Sequence, residues 1–306
     1  MMEVNLLHFM WLSYTFIVTF SGLNVLYSKH VPQIVVRLYS FGKINKNEKR
    51  KSIFRLIEVP KSWFSHFYVF ASLFLPFVTL SVYGAYFYNY KSPILLYLLD
   101  NFGSVQRNGT VMPESVTILS FLITFQVLRR CYECFFISVY SDSKMNLSHY
   151  IVGLTFYFGV GLSLVHDAPG FERYTYKSNE VYDLHEWCTP AHCFGSVLFL
   201  TAFLLQFETH KAFAALRKSG DKVVSTGHYI PSSGFFEYVS CPHYFAEIIM
   251  YLAGSVILGG RSYTWWLVCL WTVSGQIMTG LMSHQWYQKN FKNYPKKRKA
   301  VIPFLL

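Results

Sequence analysis

Charge is what this sequence is short of. Asp, Glu, Lys and Arg make up 14% of its 306 residues, where a soluble domain carries about 25%. So few charges cannot clothe a water-facing surface of this size, which excludes a soluble globular enzyme. Cysteine is also too sparse for a disulfide framework. Of the six, Cys131 and Cys134 have C-x-x-C spacing inside an apolar run without partner ligands, which reads as core packing. Cys188 and Cys193 flank a loop in which they could pair. There is no zinc pattern, no internal repeat, and nothing like the paired broken helices of a transporter. The first apolar run lacks a basic n-region before it and a small-residue cleavage site after it, so it is expected to be a retained helix.

What fills the space left by charge is a set of long apolar runs, within a chain that is 53% hydrophobic and 19% aromatic. Seven of them, 6–27, 63–88, 116–140, 150–165, 191–207, 244–258 and 263–282, come near the ~20 residues that cross a bilayer core. The expectation is an all-α polytopic protein of seven transmembrane helices, with 1–306 as one membrane domain. With the N-terminus in the lumen, the cytosolic stretches 29–61, 141–149, 208–243 and the tail after 283 hold twenty lysines and arginines, against five in the other loops. That asymmetry puts the C-terminus in the cytosol. The net charge of +11 therefore reports orientation and anionic lipid headgroups, and nucleic acid is not the expected partner. The sequon at Asn108 falls in a lumenal loop, and a second at Asn146 falls on the cytosolic side, where it should stay silent.

Ionisable groups inside a membrane domain are costly and mark functional sites by default. Here they gather near the cytosolic ends of the spans. Glu58 precedes the second; Arg129, Arg130 and Glu133 lie in the third; Gln206, His210 and Arg217 end or follow the fifth. His228 precedes the sixth, His243 and Glu247 open it, and His284 and Tyr287 close the seventh. The stretch "GHYIPSSGFFEYVSCPHYFAEII" (227–249) sharpens the point. Its Pro242 suits the first turn of a helix, and His243 and Glu247, at i and i+4, share one face. A helix start offers unpaired N–H groups and positive dipole to an anion. Three plainer readings stand beside this one. Arg129 and Glu133 are also spaced for a structural ion pair, His210 and Arg217 taken singly also suit ordinary interfacial positions, and the tail "NYPKKRKAVIPFLL" also suits a basic lipid anchor. Against them, six separate segments place polar groups at similar depth.

These residues resemble the steroid 5α-reductase family, and within it the polyprenol/polyprenal reductase branch. The likeness rests on "HYIPSSGFFEYVSCPHYFAEI", "SHQWYQKNFKNYPKKRKAVIPFLL", "LRRCYEC" and "LIEVPK", runs over most of the chain, and is strongest from Gln206 onward. It implies a seven-helix, NADPH-dependent reductase of the endoplasmic reticulum membrane with its cofactor cavity at the cytosolic end. By that similarity Arg130, Gln206, His210, Arg217, His228, His243, Glu247, His284 and Tyr287 face the cofactor. Glu58 matches the carboxylate that helps to bind the carbonyl oxygen in steroid-reducing members. The tyrosine paired with that carboxylate falls here at Val127, a departure that argues against a steroid, while His210 and His228 look like the polyprenal branch. Conjugate reduction needs a carbonyl to take up charge, so the aldehyde polyprenal, giving dolichal, is the expected substrate rather than the alcohol. No metal and no obligate protein partner are implied. The alternatives are a steroid-enone or enoyl-thioester reductase of the same family and, from another class, a seven-helix receptor or channel.

Overall fold

The computed structural model describes residues 5–27, 58–141, 143–172, 187–220 and 222–306. Most of the basic stretch 29–61 lies outside the described residues. Helices dominate: α1 (Leu6–Tyr27), α2 (Phe64–Tyr88), α3 (Pro93–Phe102), α4 (Pro113–Tyr132), α5 (Leu147–His166), α6 (Pro190–Ala215), α7 (Pro242–Ile257) and α8 (Tyr263–Asn290). Two short antiparallel strand pairs complete the pattern. β1 (Glu58–Pro60) pairs antiparallel with β2 (Lys144–Asn146), and β3 (Lys218–Ser219) with β4 (Lys222–Val223).

Each long helix falls on one of the apolar runs, but the ends differ in instructive ways. α4 stops at Tyr132 and passes into a single π-helical turn, Glu133–Ile137. α6 and α8 run on past their apolar stretches to Ala215 and Asn290. α3 occupies what the sequence suggested was simple connection; it starts at Ser92, whose hydroxyl accepts from the Leu95 N–H, with Pro93 in the first turn. Thr189 and Ser262 cap α6 and α8 in the same way. Among the described residues four helices are long and apolar enough to cross a membrane: Leu6–Tyr27, Lys61–Tyr88, Leu147–His166 and Pro190–Ala215. The protein is thus a mostly helical, multi-pass membrane protein. α4 and α8 are diluted by polar residues, and α7 is only 16 residues long.

The helices pack as α6 on α7, α2 on α4 and α5, α1 on α8, and α7 on α8. Trp11, Leu75, Phe199 and Trp265 are fully buried between them, while Phe16, Phe20, Leu73, Leu80, Phe136 and Phe194 point outward. An apolar exterior is what lipid requires. Gly254 lets α7 lie against Trp265, since a Cβ there would come within 2.8 Å of the indole nitrogen.

At one end of the bundle, where α1 begins, α5 ends and α8 begins, polar groups form a closed knot. Asp167 Oδ2 accepts from the Ser262 hydroxyl at 2.7 Å and from the Thr264 N–H at 3.0 Å, and its Oδ1 lies 2.6 Å from His166 Nδ1. His166 Nε2 lies 2.6 Å from the Gly103 carbonyl, and Asn5 donates to that same carbonyl. His8 joins through Thr264 at 2.8 Å. Burial alone would push the Asp167 carboxyl up, but the hydrogen bonds from His166, Ser262 and the Thr264 backbone hold it below the usual carboxylate range. All six cysteines are free, so Cys188 and Cys193 do not pair.

The C-terminal segment is not simply a lipid anchor. Val239 and Lys299 form a parallel bridge; Lys299 N–H donates to the Tyr238 carbonyl at 2.8 Å, Ser240 N–H to the Lys299 carbonyl at 2.8 Å and Cys241 N–H to the Ala300 carbonyl at 3.1 Å. Val301 is fully buried and reaches the backbone of α8 at Gly280, where any Cβ would collide with it.

Candidate active site at the ends of α4, α6 and α7

Arg130 stands near the end of α4, 17 residues and about 26 Å along the helix axis from Pro113 at its start. Its Nη1 contacts Glu133 and His210, its Nε donates to the Tyr68 hydroxyl at 3.2 Å, and its guanidinium covers the Tyr68 ring at 4.8 Å. Glu133 is wholly buried, with His210 Nδ1 at 2.7 Å and Arg129 Nε at 3.2 Å. One carboxylate thus sits between two guanidinium groups and an imidazole. The ion-pair reading of Arg129 and Glu133 is correct, and the pair is also joined to Arg130 and His210.

Gln206 links this group to α7. Its side-chain oxygen takes a hydrogen bond from Arg129, and its Nε2 donates to Glu247 Oε2 at 3.0 Å. His243, one turn before Glu247, lies with its ring 5.8 Å from that of His210 and 5.2 Å from Phe213. The structure therefore brings Arg130, Gln206, His210, His243 and Glu247 into one continuous network from three helices. The bare helix start, by contrast, has little to offer an anion. Pro242 has no N–H, Ser240 and Cys241 donate to the tail carbonyls, and Tyr244 and Phe245 donate to the Cys241 carbonyl. What α7 presents is side chains.

A second group lies on the loop after α6 and the end of α8. Arg217 donates to the carbonyls of Val139 at 2.6 Å and Gly227 at 3.2 Å, tying the loop to the segment after α4. His228 packs on Trp286 at 5.0 Å, and Tyr287 stacks on Tyr294 at 5.3 Å. His284 Nδ1 lies 2.6 Å from the Ser240 hydroxyl, which also meets Tyr294. Beyond the apolar part of α8, burial and then Arg298 and Lys299 depress the His284 imidazole below its ordinary range. Burial pushes the Tyr287 phenol up to about 12. Glu58 lies half-buried on β1 opposite Asn146.

Several members of these groups were not among the residues expected from sequence. Tyr68, Ser240, Tyr294 and Arg298 are built in by contacts across the fold, as is Gln126, whose Nε2 donates to Gln206 Oε1 at 3.5 Å, whereas Glu133 was read both as one of the ionisable groups of the cavity and as an ion-pair partner. For Glu133 the i+3 spacing from Arg130 was a visible signal. For Tyr68, on another helix, there was none.

Comparison with known proteins adds a second line. Residues 168–306 match the model of the family described as 3-oxo-5-alpha-steroid 4-dehydrogenase. The chain is 34% identical to a polyprenal reductase of Drosophila melanogaster over 313 residues, covering 99% of this chain and 94% of that protein. It is 33% identical to a Danio rerio polyprenal reductase over 288 residues, covering 91% and 88%, and 32% identical to a human one over 271 residues, covering 88% and 85%.

Proposed function

The chain belongs to the 3-oxo-5-alpha-steroid 4-dehydrogenase family and is a reductase, and from that premise we propose that it saturates the α-isoprene double bond of polyprenal to give dolichal, with NADPH as reductant. One observation carries the reading: cationic, amide, imidazole and carboxyl groups from α4, α6 and α7 meet in a single buried network, with an aromatic and basic group beside it. A receptor or channel gives no reason for such a convergence. Relatives named polyprenal reductase across nearly the whole chain supply the substrate class.

The residues present suit a nicotinamide dinucleotide. Arg130, Gln206, His210, His243 and Glu247 supply donors and acceptors for amide and hydroxyl groups. Arg217, His228, His284 and Tyr287 add positive charge and flat aromatic surface. When bound, NADPH supplies the hydride. An isolated alkene accepts hydride poorly, whereas one conjugated to an aldehyde passes charge to the carbonyl oxygen, and stabilising that oxygen is the protein's task. Glu58 is the residue we place there as hydrogen-bond donor. It sits just before α2, at the edge of the apolar zone, where a polyprenyl head can reach it while its tail stays in lipid. Val127 is fully apolar and buried, so it offers no hydroxyl to a steroid ketone.

The same reading includes seven spans, an endoplasmic reticulum location, a lumenal N-terminus and a cytosolic C-terminus. Asn108 is exposed near the knot, while Asn146 caps α5 by accepting from the Ser148 N–H at 2.8 Å. Glycosidase should shift only protein that retains Asn108; a shift dependent on Asn146 reverses the orientation. The function is tested with purified protein, NADPH and a panel of polyprenal, polyprenol, a steroid enone and an enoyl thioester. Polyprenal should be consumed fastest, and Glu58→Ala should lower kcat with NADPH affinity unchanged. Polyprenol reduced at the polyprenal rate, with no auxiliary dehydrogenase present, overturns the aldehyde assignment.

A further inference from the structure

Conjugate reduction makes a demand that none of the groups assigned so far meets. Hydride goes to the β-carbon and charge to the carbonyl oxygen, but the α-carbon must then receive a proton. A positioned side chain that supplies it contributes to rate as a general acid. Glu58, placed at the oxygen, has its own proton engaged there.

Three buried tyrosines border the network and have no part in the chemistry so far: Tyr68 on α2, Tyr157 on α5 and Tyr251 on α7. The rings of Tyr68 and Tyr157 lie 5.3 Å apart, and Glu247 acts electrostatically on all three. Tyr68 is the one held by Arg130. Its oxygen accepts from Arg130 Nε at 3.2 Å, and the guanidinium covers its ring at 4.8 Å. In that contact the phenol oxygen is the acceptor, which leaves its own O–H to be given away. Arg130 is itself anchored by the buried Glu133, and a fixed guanidinium stabilises the phenolate that proton loss would leave. Neighbouring donors are less suited to the task. His210 Nδ1 is held at Glu133 and the Gln206 amide at Glu247, and a guanidinium does not give up its proton in a protein. Tyr68 also stands in the second turn of α2, the helix that Glu58 precedes, so a short stretch of chain carries both residues.

We propose that Tyr68 is the general acid of the reaction and gives its phenolic proton to the α-carbon; this rests on the reductase reading above. When hydride reaches the β-carbon, the C=C electron pair moves to form the enolate, whose oxygen Glu58 holds. The enolate pair then takes the Tyr68 proton at the α-carbon, the phenolic O–H bond breaks and the carbonyl is restored. The phenolate stays against Arg130 and regains a proton from water once the product has left. An aldehyde α C–H is a weaker acid than a phenol, so the transfer runs downhill even from a buried tyrosine.

The test uses the full-length protein in phosphatidylcholine nanodiscs, with NADPH and polyprenal in heavy water. The product aldehyde is trapped at once as the alcohol with borohydride, and deuterium at the α-carbon is located by NMR. The parent should place it on one face of that carbon. Tyr68→Phe keeps the ring beneath Arg130 and loses only the hydroxyl. It should lower kcat about 100-fold or more, leave the NADPH dissociation constant and the melting temperature unchanged, and spread deuterium over both faces as water replaces the phenol. An unchanged kcat overturns the proposal. So does a kcat that falls in step with NADPH affinity while deuterium stays on one face, since Tyr68 would then only position Arg130. A parent that binds no NADPH or leaves polyprenal untouched refutes the reductase reading itself, whereas a parent and variant that reduce polyprenal equally fast refute only the assignment of Tyr68.

Discussion

The two ends of the helix bundle handle buried charge in opposite ways. Around Asp167 every oxygen of the carboxylate is engaged by this chain's own donors, from His166, Ser262 and Thr264. Near the other end, Arg298 holds two buried donors that nothing in the described chain accepts. The closed arrangement fastens the starts of α1 and α8 to the end of α5, and its chemistry is finished when the chain has folded. The open one is incomplete by itself. Polar groups in a membrane protein thus divide into those whose partners the chain itself supplies and those whose partners it does not, and the accounting of donors and acceptors separates them where hydropathy cannot.

The largest effect expected from breaking this comparison is at the knot. Asp167→Ala strands the donors of Ser262, Thr264 and His166 in a buried setting and should cost about 3 kcal/mol or more. Its signature is a lowered melting temperature with NADPH affinity unchanged in the protein that remains folded; a matching loss of NADPH affinity would join the two ends after all. At the other end the pattern should invert. Glu247→Gln and His243→Ala each remove one hydrogen-bonding group from the network and should weaken NADPH about 10- to 100-fold with little change in melting temperature. Parent-like binding in both would make these side chains structural.

The smallest effect is one of pH. The folded-state carboxyl of Asp167 is depressed relative to the unfolded chain, where it titrates near ~3.9. Its contribution is therefore fully present above the unfolded value and disappears as pH falls through the folded one. The stability gap between the parent and Asp167→Asn should be constant near neutrality and narrow below about pH 4. A gap that narrows instead on the alkaline side contradicts the assignment.

Much of this architecture was legible in the sequence because hydrophobic run length is a local property. The seven long helices lie where the runs lie, and Pro242 opens α7 as its position suggests. The ends were less legible. α6 continues to Ala215 and α8 to Asn290 with their polar extensions held by partners from elsewhere: His210 by Arg130 and Glu133, and His284 by Ser240, which also donates to the tail carbonyl of Lys299. α3 was missed because ten residues give too short a run to distinguish from a connection. Of the site, Arg130, Gln206, His210, His243 and Glu247 do meet, and their polarity within apolar surroundings was the visible sign. Tyr68 carries no such sign, since a tyrosine in a membrane helix is ordinary until Arg130 is seen beside it. The N–H groups of the α7 start looked free for an anion, but the strand-like partner that claims two of them lies some sixty residues further on.

That pairing between Val239 and Lys299 also sets an order of events during synthesis. The chain is made from its N-terminus, and earlier parts fold first, so every described helix has been synthesised before the residues around Lys299 exist. The knot can close as soon as Thr264 is available. The start of α7 cannot, and its loop must remain without its partner until the tail arrives, a contact of long sequence separation and correspondingly slow to form. Cofactor affinity should therefore be the last property the newborn protein acquires, and a released chain truncated before Lys299 should pack its membrane helices yet fail to hold its nucleotide.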